Sequence, residues 1–154
     1  MSVGVPALDS DHRCLVRIIN LLGEVEQGAE ARMTIETVLE TLAMYARYHF
    51  AREERLMGAC GFPESRLHQD EHERFATFVQ SLRARSLKEA DAPLARELFA
   101  YLTAWLRHHI LIQDMAYKPY VCAVGVESHT LDAALRCRSP AASRHRPSDM
   151  TDRG

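Results

Sequence analysis

Four short stretches of this chain carry side chains that could hold metal. His49 and Glu53 are four residues apart, as are His68 and His72; His12 stands earlier and His109 with Asp114 later. On a helix, residues four apart share a face one turn from each other. The His49/Glu53 pair alone admits three readings: a surface pair, a core histidine with a partner, or two ligands of one ion. Imidazole with carboxylate and no thiolate suits iron and, less exclusively, manganese, zinc or copper. Seven protein donors crowd a single ion. Shared between two ions, with both carboxylates bridging, they give one ion three histidines and the other two. A further bridging oxygen makes the ions six- and five-coordinate, leaving one position where a small ligand could bind.

The elements that must bring these donors together are helices. His12, Leu15, Val16, Ile19 and Leu22 mark one face at helical spacing, with Asp9 or Ser10 as N-cap and an end near Gly23–Gly28. A second helix is expected from about Thr34, with the stripe Ile35, Val38, Leu42, Tyr45, His49, Glu53, Leu56, ending at Gly58 and Gly61-Phe62-Pro63. Pro63 suits the first turn of a third, whose stripe is His68, His72, Phe75, Val79, Leu82, fading near Ser86. Asp91 and Pro93 open a fourth. Its stripe is Leu98, Leu102, Trp105, His109, Ile112, flanked by Phe99, Leu106, Ile110, Asp114 and Tyr117, and Lys118-Pro119 should stop it. His109 and Asp114 are roughly 140° apart on an ideal helix, so they reach a common site from two flanks or through a local π-type bulge. His108 and Glu54 fall off the core stripes and read as solvent-facing.

No segment shows sustained period-two alternation or a hairpin turn pair. Four amphipathic helices with short connections predict an all-α, antiparallel up-down-up-down four-helix bundle, here over residues 1–120. Residues 1–8 read as a lead-in loop. Residues 121–154 form a C-terminal extension: a possible short helix over 121–137, then a Ser-, Pro- and Arg-rich stretch expected to be disordered. Imidazoles on all four core stripes would be costly to bury unpaired, and metal coordination satisfies them together.

The net charge of −2 is no footprint for nucleic acid. No apolar run reaches the length of a membrane span, and the N-terminus lacks a signal-peptide layout, so a cytoplasmic location is expected. Cys14, Cys60, Cys122 and Cys137 make no CxxC pair and read as free thiols. His129, His145, Cys122 and Cys137 could form an accessory metal site, but incidental residues in a loose tail are the favoured reading.

The stretches DSDHRCL, YHFAREERLM, HQDEH, WLRHHILIQD and MAYKPY resemble the hemerythrin family, in particular single-domain bacterial members, over about residues 3–120. The resemblance implies two non-haem iron ions, oxo- or hydroxo-bridged and carboxylate-bridged, that bind O2 reversibly for storage, transport or delivery. It implies that His68, His72 and His109 hold the six-coordinate iron, that His12 and His49 hold the iron with the open position, and that Glu53 and Asp114 bridge. Leu15, Trp105 and Leu106 match family positions lining the O2 pocket; as residues they read equally as plain core. Two features depart from the pattern: little chain precedes His12, and Asp11 stands where glutamine is common. Two other roles are open to such a domain, an O2, redox or nitric-oxide sensor acting through a partner protein and a di-iron peroxidase or oxidase. The histidine-rich donor set favours binding over turnover, so no enzyme activity is expected.

Overall fold

A computed structural model describes residues 2–26 and 35–123. The expected start at Thr34, and the expectations for His129, Cys137, His145 and the rest of the extension beyond Ala123, lie outside the described residues. Four helices form the fold, and no strand occurs among the described residues. Helix α1 spans Pro6–Glu26. Helix α2 is α-helical over Ile35–Tyr45, makes a π-helical turn over Ala46–Phe50, and is α-helical again over Ala51–Cys60. Helix α3 spans Ser65–Ser86. Helix α4 runs over Asp91–His108, a π-helical turn at His109–Gln113, and Asp114–Ala123.

Local chemistry sets most boundaries. Pro6 occupies the first helical position of α1, where its missing N–H costs nothing. Asp9, expected as the cap, instead lies within the first turn and caps from inside: its carboxylate accepts the Val3 N–H at 2.8 Å and the Ser2 hydroxyl at 2.6 Å. Helix α2 passes Gly58 and ends at Gly61, whose φ of 68° is open to glycine without strain. There Phe62 N–H reaches Met57 O and Gly61 N–H reaches Gly58 O, satisfying the last carbonyls. Pro63 stays in the turn before α3 rather than entering it. Lys118-Pro119 does not stop α4. Pro119 forfeits one hydrogen bond, but continuing the helix buries Val121 beside Tyr117.

Two apolar clusters divide the bundle. The larger fills its length with Leu15, Leu42, Phe50, Phe75, Leu98, Leu106 and their neighbours. The smaller closes one end with Val3, Val5, Leu8, Leu56, Met57, Phe62, Tyr117 and Val121. Residues 2–5 are therefore no mere lead-in; Val3 and Val5 are core. Between the clusters lie the buried polar residues, supplied by the starts of α1 and α3 and by the C-terminal halves of α2 and α4. Antiparallel topology brings those four segments to the same level.

Candidate metal centre

All seven expected donors are buried there: His12, His49, Glu53, His68, His72, His109 and Asp114. Each comes from the inward face of its helix. The π turn in α4 resolves the five-residue spacing of His109 and Asp114: the Asp114 N–H bonds to His109 O, setting the carboxylate over the imidazole. Asp114 Oδ1 then lies 3.3 Å from His109 Nε2. A second π turn, which the sequence pattern did not suggest, carries His49 in α2. His108 is exposed, its Nε2 3.2 Å from Gln113.

The donors fall into two groups that share Glu53. Glu53, His68, His72 and His109 offer ligand atoms within 4.8 Å of one another, and so do His12, His49 and Glu53. Glu53 Oε2 lies 3.3 Å from His72 Nε2 and 3.5 Å from His49 Nε2. Asp114 also faces both groups, with Oδ2 3.2 Å from His12 Nε2 and Oδ1 3.5 Å from His68 Nε2. Tyr117, fully buried, donates its hydroxyl to Glu53 Oε1 at 2.7 Å.

These residues fit a metal pair better than they fit one another. His12 Nε2, His49 Nε2, His68 Nε2, Glu53 Oε2 and both Asp114 oxygens are buried without a hydrogen-bond partner among the described residues. Such a concentration of unpaired polar atoms is rare in a protein interior. His72 Nε2 and His109 Nε2 lie 3.1 Å apart, close to the roughly 3 Å between neighbouring donors at right angles on an ion with bonds of about 2.1 Å. The outer nitrogens point the same way. Asp11 takes His49 Nδ1–H at 3.1 Å and Glu54 takes His72 Nδ1–H at 3.0 Å. With the proton on Nδ1, each ring turns its Nε2 lone pair inward.

The charges of the metal-free cluster are poised for a cation. Burial lowers His12 and pushes His109 down to about 4, so both are neutral ligands at pH 7. Burial alone would raise Glu53. The charge of His49, with the nearby imidazoles of His109, His68 and His72, more than offsets it and holds the carboxyl well below its ordinary range. Burial and the nearby Glu53 charge raise Asp114 well above its range, which disfavours its charged form until a cation stands beside it. Burial also works against protonated His72, but the adjacent Glu53 carboxylate and the hydrogen bond to Glu54 raise it overall.

Aromatic rings hold the imidazoles. Trp105 stacks on His109 at 4.1 Å, Tyr45 on His49 at 4.5 Å and Phe50 on His72 at 3.8 Å between centroids. Leu15 and Leu106 are buried in the larger cluster, and half-buried Trp105 packs against it. Sequence reasoning missed Asp11, Glu54, Tyr45 and Phe50 as parts of the centre. Glu54 is corrected from a plain surface charge to a partner of His72. The overlooked signal was its place one turn beyond Phe50 and next to Glu53.

Comparison with known proteins matches the segment that carries these residues. The family model described as the hemerythrin HHE cation binding domain covers residues 3–121. A bacteriohemerythrin of Pseudomonas paraeruginosa is 37% identical over 117 residues, covering 76% of this chain and 74% of the relative. One from Stenotrophomonas maltophilia is 32% identical over 123 residues, 80% of this chain and 78% of the relative. Another, from Clostridium acetobutylicum, is 26% identical over 118 residues, 75% of this chain and 92% of the relative. With this family match spanning residues 3–121, nearly all of the bundle, the chain belongs to the hemerythrin family.

Proposed function

We propose that this protein binds O2 reversibly at a non-haem di-iron centre. His68, His72 and His109 would hold one iron, His12 and His49 the other, with Glu53 and Asp114 spanning both. Family membership supports the coarser part, a non-haem iron protein with an O2-related role. The observation that carries the finer part is the division of the donors: three imidazoles on one side, two on the other, and two carboxylates that face both. A pair of bound iron ions supplies reversible two-electron chemistry towards O2. The lower histidine count on one side is where a small ligand has room to join.

The chain's own residues do the rest. Five neutral imidazoles against two carboxylates keep the charge of the buried centre modest, so its desolvation is tolerable. Leu15, Leu106 and the stacked Trp105 supply the apolar wall proposed to line the O2 pocket, while the end cluster closes the centre on its other side. That dry surround excludes water, which would otherwise exchange with the ligand and deliver protons. Tyr117 fixes one oxygen of Glu53, and Asp11 and Glu54 fix the outer nitrogens of one histidine on each side.

The test is gas uptake by anaerobically iron-loaded protein, followed with an oxygen electrode. The expected result is one O2 taken up per two irons and returned on degassing. Irreversible consumption, or sustained peroxide turnover, would replace carriage with an oxidase or peroxidase role.

A further inference from the structure

One turn of α2 grips the ring of His72 from two directions. Phe50 lies flat on its face, the planes 4° from parallel. Glu54, four residues on, sets Oε1 3.0 Å from Nδ1. The two contacts do different things. Stacking fixes the plane of an imidazole but leaves two orientations related by a half-turn of the ring. One presents Nε2 to the centre; the other presents a carbon in its place. Only a partner on Nδ1 tells them apart, and an acceptor there also fixes the tautomer that leaves the Nε2 lone pair facing inward.

The other histidines differ. On the same side of the centre, His68 and His109 have no hydrogen-bond partner on Nδ1 among the described residues. On the opposite side His49 has Asp11, but Asp11 also pairs with Arg52. Among the described residues no lysine or arginine pairs with Glu54, whose one ion pair is with His72. Its carboxylate is about one-third exposed.

We propose that Glu54 is the positioning residue for the three-histidine side of the centre. It holds His72 in the ring orientation and tautomer that can ligate, and lends that ligand a negative charge that Asp11, shared with Arg52, lends His49 only in part. The geometry stands by itself; its consequence for metal rests on the di-iron reading above. A carboxylate behind a ligating imidazole raises its basicity, and removing such a partner typically costs 10–100-fold in metal affinity.

Two measurements on Glu54→Ala and Glu54→Gln test this. In the metal-free protein, the His72 Nδ1–H should give a slowly exchanging proton resonance in the parent chain and in Glu54→Gln, and lose it in Glu54→Ala. In anaerobic titration with Co(II), Glu54→Ala should weaken one of two binding steps by roughly 10–100-fold and leave the other unchanged. Glu54→Gln, which keeps an acceptor without the charge, should fall between. Unchanged affinity at both steps in Glu54→Ala, or equal losses in the two variants, would overturn the proposal. A parent chain that shows the Nδ1–H resonance but takes up no metal would sink the di-iron reading while upholding the grip on His72.

Discussion

Replacing Tyr117 by Phe removes one oxygen from a fully buried hydrogen bond. The phenol donates to Glu53 Oε1 at 2.7 Å, and both residues are fully buried. The ring itself keeps its edge-to-face contact with Phe62 and its place beside Val121, so little cavity results. What is lost is a hydrogen bond to a charged acceptor, worth about 1.5–3 kcal/mol. For a chain of this size that corresponds to a fall of roughly 3–12 °C in melting temperature. Metal-free protein is the suitable sample, because metal release would otherwise be coupled to unfolding. Glu53 is held well below the ordinary carboxylate range when folded. Its contribution is therefore complete above the unfolded value near 4.5 and is lost only as pH falls through the lower folded value. The deficit of Tyr117→Phe should accordingly be the same at pH 6 and pH 8. Urea unfolding of the single and double variants with Glu53→Gln isolates the pair. A coupling energy near zero, or an unfolding midpoint of Tyr117→Phe equal to that of the parent, would refute the assignment of this bond as a main support of Glu53.

Other outcomes follow from the same geometry. His108→Ala should retain two irons by metal analysis, whereas its neighbour His109→Ala should lose iron, since only His109 faces the centre. His49→Ala should lose the iron of the two-histidine side or its O2 binding, and Glu53→Ala should destabilise both ions because Glu53 belongs to both donor groups. Val3→Ser should cost about 1.5–3 kcal/mol from lost burial, read by denaturant unfolding, with metal content retained because Val3 touches the end cluster rather than the donors. Stripping the metal with a chelator should lower the melting temperature yet preserve the helical circular dichroism, because the larger apolar cluster extends along the helices beyond the centre.

Much of this was legible in the sequence. Four apolar stripes at helical spacing, separated by glycine and proline, are enough to specify a four-helix bundle, and the i, i+4 pairs His49/Glu53 and His68/His72 announce themselves on those stripes. His109 and Asp114 were ambiguous because their spacing belongs to no regular α-helical face. The π turn that aligns them is a backbone choice that side-chain periodicity cannot reveal. Val3 and Val5 were passed over because two valines around a glycine are too short to show any period, and their burial comes from the end cluster. Asp11 and Glu54 escaped for another reason. A stripe records where Cα–Cβ bonds point, whereas a carboxylate at the edge of a stripe can reach round to the outer nitrogen of a ligand. The stop signal at Pro119 failed because burial of Val121 outweighs one missing hydrogen bond.

Metal content measured together with an optical spectrum, first under nitrogen and then in air, tests the central claim most directly. The account predicts two irons per chain, near-ultraviolet charge-transfer absorption that shifts when air is admitted, and return of the nitrogen spectrum on degassing. Fewer than two irons in fully loaded protein, or a spectral change that degassing cannot reverse, would contradict it.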